Sequence, residues 1–223
     1  MIDAATMEEA RALIERLRAA KVTVGTAESL TGGLIAATLT AVPGASEVVD
    51  RGVVVYSWEA KTALLGVPRA LLDAEGAVSE AVARSMVVGL IERADGRVQL
   101  AVAVTGVAGP GPSEARPAGR VHLAVARRSD RAVVHAQRDY GEVGRAAVRL
   151  ATVRDALAML GGATSSPPSR RASATTRISA RRRWLRAIHT IEEIPHAVRR
   201  HRHRRRPRGP LRRARAGPGV KRH

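Results

Sequence analysis

Thr26-Ala-Glu-Ser-Leu-Thr-Gly-Gly33 sits between an apolar β-type run, Val22-Thr-Val-Gly-Thr26, and a helix-type run, Leu34-Ile-Ala-Ala-Thr-Leu39. A strand that passes into a helix through Ser, Thr and two glycines belongs to an α/β fold, and it is a place where chemistry can be done. The first backbone N–H groups of a helix lack intrahelical partners and carry the positive end of its dipole, so a phosphate or a developing oxyanion is stabilised there. Gly32 and Gly33 let that backbone approach a ligand closely. Alone, Ser or Thr ahead of Gly at a helix start reads as an ordinary cap, so the flanking chain has to decide.

Upstream, residues 7–20 place Leu13, Ile14 and Leu17 on one helical face, with acids in the first turn and Arg in the last. Downstream, the spacing predicts a helix over 31–42, stopped by Pro43-Gly44. A strand follows over Val48 to Tyr56, rich in β-branched residues, where Gly52 marks a bulge or a close backbone approach. Ser57 to Gly66 reads as a short helix from an N-cap to a C-terminal glycine, which brings Lys61 and Tyr56 toward one strand end. Residues 79–94 have helical spacing, and Val98 to Thr105 is apolar enough to be a strand buried on both faces. That strand runs into a Gly/Pro loop over 106–119. Val121 to Arg127 and Ala132 to Tyr140 then form a hairpin, and a last helix over 142–160 puts Arg145 and Arg149 on one face. The succession predicts a three-layer α/β/α sandwich with a mixed sheet.

The formal charge of +18 is unevenly placed. Residues 1–163 carry 19 Lys and Arg against 18 Asp and Glu, a net +1, whereas residues 164–223 carry 19 against 2, a net +17. The expected organisation is therefore a domain over 1–162 and an Arg-rich disordered tail over 163–223, with at most a transient helix at 181–194. The run Arg199-Arg-His-Arg-His-Arg-Arg-Arg206 would bind nucleic acid non-specifically by counterion release. Equally open is that the abrupt change of composition is an out-of-frame extension. The absence of cysteine excludes disulfides and thiolate chemistry. The acidic start, Met1-Ile-Asp-Ala-Ala-Thr-Met-Glu-Glu, is unlike a secretory signal, and no run reaches the roughly 18 apolar residues of a membrane span, so a cytoplasmic protein without a membrane partner is expected. Two Trp, two Tyr and no Phe leave the core to Val, Leu, Ile and Ala, and leave no aromatic platform for nucleic-acid bases.

Six blocks in order carry a family resemblance: Thr26 to Gly33, Val42-Pro-Gly-Ala-Ser46, Gly52-Val-Val-Val-Tyr56, Lys61 with Leu64-Leu-Gly-Val67, Gly76-Ala-Val-Ser79, and Val104-Thr-Gly-Val-Ala-Gly-Pro110. Over roughly 7–160 the chain resembles the CinA C-terminal domain family, whose members are nicotinamide-nucleotide amidohydrolases. The resemblance implies hydrolysis of the carboxamide of nicotinamide mononucleotide to the carboxylate and ammonia. Because an amide is a poor electrophile, this needs an activated nucleophile, a proton shuttle and oxyanion donors. The resemblance assigns Ser29 as nucleophile, Lys61 as base and Tyr56 as the group that orients or relays the proton, with main-chain N–H groups around Thr31 to Gly33 or Thr105-Gly106 as oxyanion donors. It places Glu28, Thr31, Gly32, Gly33, Thr105, Gly106, Gly109, Arg145 and Arg149 around the substrate, with the two arginines and the Gly/Thr loops as sites for the 5′-phosphate. Three features depart from the family pattern: Leu30 stands where many members have Cys, the 106–119 loop is short, and Gly141-Glu-Val-Gly-Arg145 is two residues longer than the usual Gly-Asp-Arg-like turn. His122 and His135 read as core-edge or surface residues, no His/Asp/Glu cluster has metal spacing, and neither metal nor cofactor is expected. A homo-oligomer is expected from the apolar helices. The competing reading is a non-catalytic domain that binds a nucleotide or a partner.

Overall fold

The computed structural model describes residues 2–165. Residues 166–223, with the disorder and the helix at 181–194 expected for the tail, lie outside the described residues, while 163–165 belong to the last helix. The elements are α1 (Ala4–Ala20), β1 (Val24–Glu28), α2 (Leu34–Thr40), a 3-10 turn (Ala45–Glu47), β2 (Val49–Val54), α3 (Trp58–Leu65), α4 (Arg69–Glu75), α5 (Glu80–Glu92), β3 (Leu100–Gly106), β4 (Arg120–Arg127), β5 (Val133–Asp139) and α6 (Arg145–Ser165). The five strands form one sheet in the order β2-β1-β3-β4-β5. Strand β1 is parallel to β2 and β3, and β3, β4 and β5 are antiparallel, which gives the expected mixed sheet.

Strand β3 explains how the layers divide. Leu100, Val102 and Val104 point to one side, where Leu13, Ile14, Leu17, Ile35, Leu39, Val153 and Leu157 of α1, α2 and α6 cover them. The alternate residues, Ala101 and Ala103, belong to the core that Met86, Val87, Leu90 and Ile91 of α5 make on the other side. Nine consecutive-to-near residues of α5, from Val82 to Ile91, are buried, because α3 and α4 cover the helix in turn. Both helical layers thus close on the sheet as predicted.

Two glycines set close approaches. A Cβ on Gly52 would lie 2.6 Å from the Ala36 Cβ and 2.9 Å from the Thr26 Oγ1, so of the two expectations for this residue the close approach holds, with α2 lying tight over β2. A Cβ on Gly89 would lie 1.9 Å from the Leu65 carbonyl oxygen, so only glycine there lets α3 rest on α5.

Several boundaries differ from the sequence reading. Helix α1 starts at Ala4, where the Asp3 carboxylate accepts from the Thr6 N–H at 3.0 Å, so Glu8 and Glu9 fall beyond the first turn. That bond and the Arg154 and Thr6 side chains hold the Asp3 carboxyl well below the usual range. Helix α2 begins at Leu34 and not at 31, since Gly32 and Gly33 have left-handed φ of 60° and 92°. Helix α6 continues past Gly161 and Gly162, and the short α4 and the 3-10 turn were absent from the sequence reading.

Replacing Gly89 with Ala forces α3 off α5. The expected cost is about 2–3 kcal/mol of unfolding free energy, readable as a lowered urea midpoint at unchanged slope.

Candidate active site

In an open α/β sheet, ligands bind beyond the carboxyl ends of parallel strands, at the point where the chain order reverses. Here β1 connects onward to β2 on one side and has β3 on the other, so the reversal lies between β1 and β3. Ser29 follows the last residue of β1, and its N–H donates to the Val104 carbonyl of β3 at 3.1 Å. A cleft of about 230 Å³ opens there. Ser29, Leu30, Tyr56, Trp58, Lys61, Ala77, Val78, the 105–114 segment and Arg145 line it.

Lys61 forms the cleft's reactive pair with Ser29. The Ser57 hydroxyl caps α3 by accepting from the Ala60 N–H at 3.0 Å, which fixes the turn that carries Lys61. Its side chain is only 1% exposed. The Nζ group donates to the Val55 carbonyl at 2.8 Å, to the Ser29 Oγ at 3.1 Å and to the Tyr56 carbonyl at 3.4 Å. Burial lowers its pKa to about 8, against the opposing charge of Glu114. An amine that is partly neutral near physiological pH and within hydrogen-bond reach of a buried serine hydroxyl can accept the serine's proton.

The structure brings Ser29, Lys61, Tyr56, Thr105, Gly106, Gly109 and Arg145 to this cleft. Tyr56 presents its main-chain carbonyl to Lys61, and its exposed hydroxyl accepts from Arg145 Nη2 at 3.1 Å and makes no hydrogen bond to Ser29 or Lys61. Arg145 opens α6 despite the longer turn before it, and its Nη1 donates to the Gly109 carbonyl at 3.1 Å. Arg145 and Tyr56 thus stand together among the cleft's lining residues.

Glu28, Thr31, Gly32, Gly33 and Arg149 are not among the lining residues, and each has a supporting task. The buried Glu28 carboxylate folds onto the start of α2, where it accepts from Ile35 N–H at 3.0 Å, Ala36 N–H at 2.8 Å and the Thr26 hydroxyl at 3.0 Å. The helix-end donors that the sequence suggested for a ligand are therefore satisfied by the residue beside the nucleophile. Gly32 N–H donates to the Ser29 carbonyl at 3.1 Å, closing the turn, and Arg149 Nη2 holds the Thr31 carbonyl at 2.7 Å.

Trp58, Ser113 and Glu114 line the cleft without having been singled out in the sequence, and Ala77 and Val78, quoted there only as part of a resemblance block, line it as well. They come from a helix start and two irregular segments, where no periodicity marks a cleft-facing side. His122 on β4 and His135 on the edge strand β5 lie off the cleft, stacked with their ring centres 5.3 Å apart, and His135 faces Glu80 at 3.4 Å. Burial and the neighbouring His135 lower the pKa of His122 to about 4. No cluster of three or more potential metal ligands occurs among the described residues. No helix among them is long and apolar enough to cross a membrane.

The mixed five-stranded fold agrees with comparison to known proteins. Residues 6–163 match the CinA C-terminal domain, and the chain belongs to that family. A CinA-like protein of Anaeromyxobacter sp. (strain K) is 51% identical over 115 residues, which are 51% of this chain and 28% of the relative. A CinA-like protein of Syntrophus aciditrophicus is 43% identical over 159 residues, 71% of this chain and 36% of the relative. The chain therefore spans about a third or less of the length of these curated relatives. Among solved structures, the competence/damage inducible protein CihA from Agrobacterium tumefaciens is 46% identical with a TM-score of 0.70, covering 74% of this chain and 99% of its own. A CinA superfamily protein from Klebsiella pneumoniae is 34% identical with a TM-score of 0.68, covering 72% and 98%.

Glu28→Ala strands the buried Ile35 N–H and the part-buried Ala36 N–H at the start of α2. The expected loss is about 1–3 kcal/mol in thermal or urea unfolding, with no gain or loss of a cleft-lining group.

Proposed function

We propose that the protein is a nicotinamide-nucleotide amidohydrolase that converts the carboxamide of nicotinamide mononucleotide to a carboxylate with release of ammonia. The observation that carries this reading is the buried Ser29–Lys61 pair, 3.1 Å apart with a lowered lysine pKa, in the cleft at the sheet's switch point. The family's known chemistry agrees with it.

In this reading neutral Lys61 takes the Ser29 proton as Oγ attacks the carboxamide carbon. For the resulting oxyanion this reading takes a main-chain N–H of the serine turn as donor, and we assign it to Leu30, one residue past the nucleophile and a lining residue of the cleft. Lys61 then gives its proton to the departing nitrogen, the C–N bond breaks and ammonia leaves. Water attacks the Ser29 ester with Lys61 again as base, and the returned proton restores the hydroxyl as the carboxylate departs. Arg145 at the cleft is the group suited to the 5′-phosphate, through forked charge-assisted hydrogen bonds.

The test is ammonia release from nicotinamide mononucleotide. Ser29→Ala should lower kcat by about a thousandfold or more while the unfolding midpoint stays near that of the wild type. The base must be unprotonated, so kcat/KM should climb about tenfold per pH unit on the acid side and level off above about pH 8. Full activity in Ser29→Ala, or a profile flat from pH 6 to 9, would overturn the reading.

A further inference from the structure

Glu114 is the one carboxylate among the cleft-lining residues, whose other charged groups are Lys61 and Arg145. Its position is built from several sides. Trp58 Nε1–H donates to one carboxylate oxygen at 3.1 Å and the Ala77 N–H to the other at 2.7 Å. Gly76 supplies the clearance, since a Cβ there would lie 2.8 Å from Oε2. The chain also bends to deliver the side chain. Ser113 and Arg116 exchange both main-chain hydrogen bonds, at 3.0 and 2.8 Å, and the two residues between them hold left-handed φ of 50° and 59°. Turns of this kind favour Asn and Gly, so Glu114-Ala115 adopts it at a conformational cost. Arg116 ties down the far side by donating from Nε to the Val78 carbonyl at 3.1 Å.

Each carboxylate oxygen spends one acceptor position on the protein and keeps another free. The charge acts inside the cleft, for it is felt at Lys61. Trp58 adds ring surface to the same wall, while the Arg69 guanidinium, which is not among the lining residues, sits 5.0 Å from the ring centre. A negative carboxylate and a π-system side by side in a small cleft favour a flat cation over a flat neutral group.

We propose that Glu114, with Trp58 beside it, selects ligands whose ring carries a positive charge next to the carboxamide, an N-substituted pyridinium, over neutral aromatic carboxamides of the same shape. The proposal rests on the amidohydrolase reading for the kind of ligand, and makes Glu114 the specificity-determining residue of that cleft.

The experiment measures binding by calorimetry in the full chain carrying Ser29→Ala, so that turnover does not interfere. The probes are nicotinamide mononucleotide and the 5′-phosphate of benzamide riboside, which keeps carboxamide, ribose and phosphate on a neutral ring. The cationic probe should bind about tenfold tighter. Adding Glu114→Gln should erase most of that preference through weaker binding of the cation, with the neutral probe's Kd changed by less than about twofold. Glu75→Gln, which removes an exposed carboxylate outside the cleft lining, should leave the preference intact. Equal weakening of both probes by Glu114→Gln would make the residue a loop clamp only and overturn the proposal, as would equal affinities before the change or the same loss in Glu75→Gln. Should Glu114→Gln not fold, Glu114→Asp keeps the charge and shortens its reach, and an undiminished preference there would also count against it. Charge-selective binding without any ammonia release by the wild type would support this proposal and sink the hydrolysis. Hydrolysis of both probes with equal kcat/KM would do the reverse.

Discussion

The arrangement of this domain turns on one buried amine. A lysine with its head group in a core is tolerated only where acceptors meet its N–H groups and part of its charge is given up. The three acceptors of Lys61 are Val55 O, Tyr56 O and Ser29 Oγ, all from the segments that leave β2 and β1. Those segments run side by side because the parallel pairing of Glu28 with Val54 continues one step further, with the Val55 N–H donating to the Glu28 carbonyl at 2.8 Å. The amine reaches them because α3 folds back onto α5 at Gly89, where a side chain would meet the Leu65 carbonyl. Strand register, a helix-packing glycine and an N-cap at Ser57 thus converge on the position of a single nitrogen atom.

The serine turn is held from behind by groups that look, in the sequence, as if they faced a ligand. Glu28 spends its carboxylate on α2, and Arg149 spends a guanidinium nitrogen on the Thr31 carbonyl. Their removal from the list of ligand contacts strengthens the chemical reading of Ser29. A nucleophile on a short turn keeps its direction only if the residues on either side of it are fixed, and here they are fixed by bonds to elements on two sides of the turn.

The layers and the order of elements were legible because the apolar periodicities are strong and the strands are rich in valine. The pair Ser29 and Lys61 was legible through family resemblance, and Gly52 through the rule that a strand glycine marks a close approach. The function of Glu28 was not, because capping from the strand side has no fixed spacing to the helix it caps. Tyr56 was placed beside Lys61 and in the cleft, but the pairing of its hydroxyl with Arg145 was not legible, since sequence separation from Lys61 says nothing of where a phenol points. Glu114 was invisible for a related reason. It lies in a loop whose path depends on left-handed turns at Glu and Ala, residues whose propensities argue against such turns.

The charges in the cleft also bear on when Lys61 is free to act. Burial pushes its proton off, and among the charged groups around it Glu114 is the one that holds the proton on. A cationic ring paired with Glu114 cancels that hold and adds a like charge of its own, and both changes favour the neutral amine. Binding of the substrate would then lower the pKa of its own general base. A neutral ring would leave Lys61 as it stands in the free protein. The consequence separates two kinetic quantities, because the acid limb of kcat/KM reports the free protein and that of kcat reports the complex. With a pyridinium substrate the kcat limb should lie at lower pH than the kcat/KM limb. With a neutral carboxamide the two should coincide, and coincidence for both substrates would show that the ring charge never reaches Lys61.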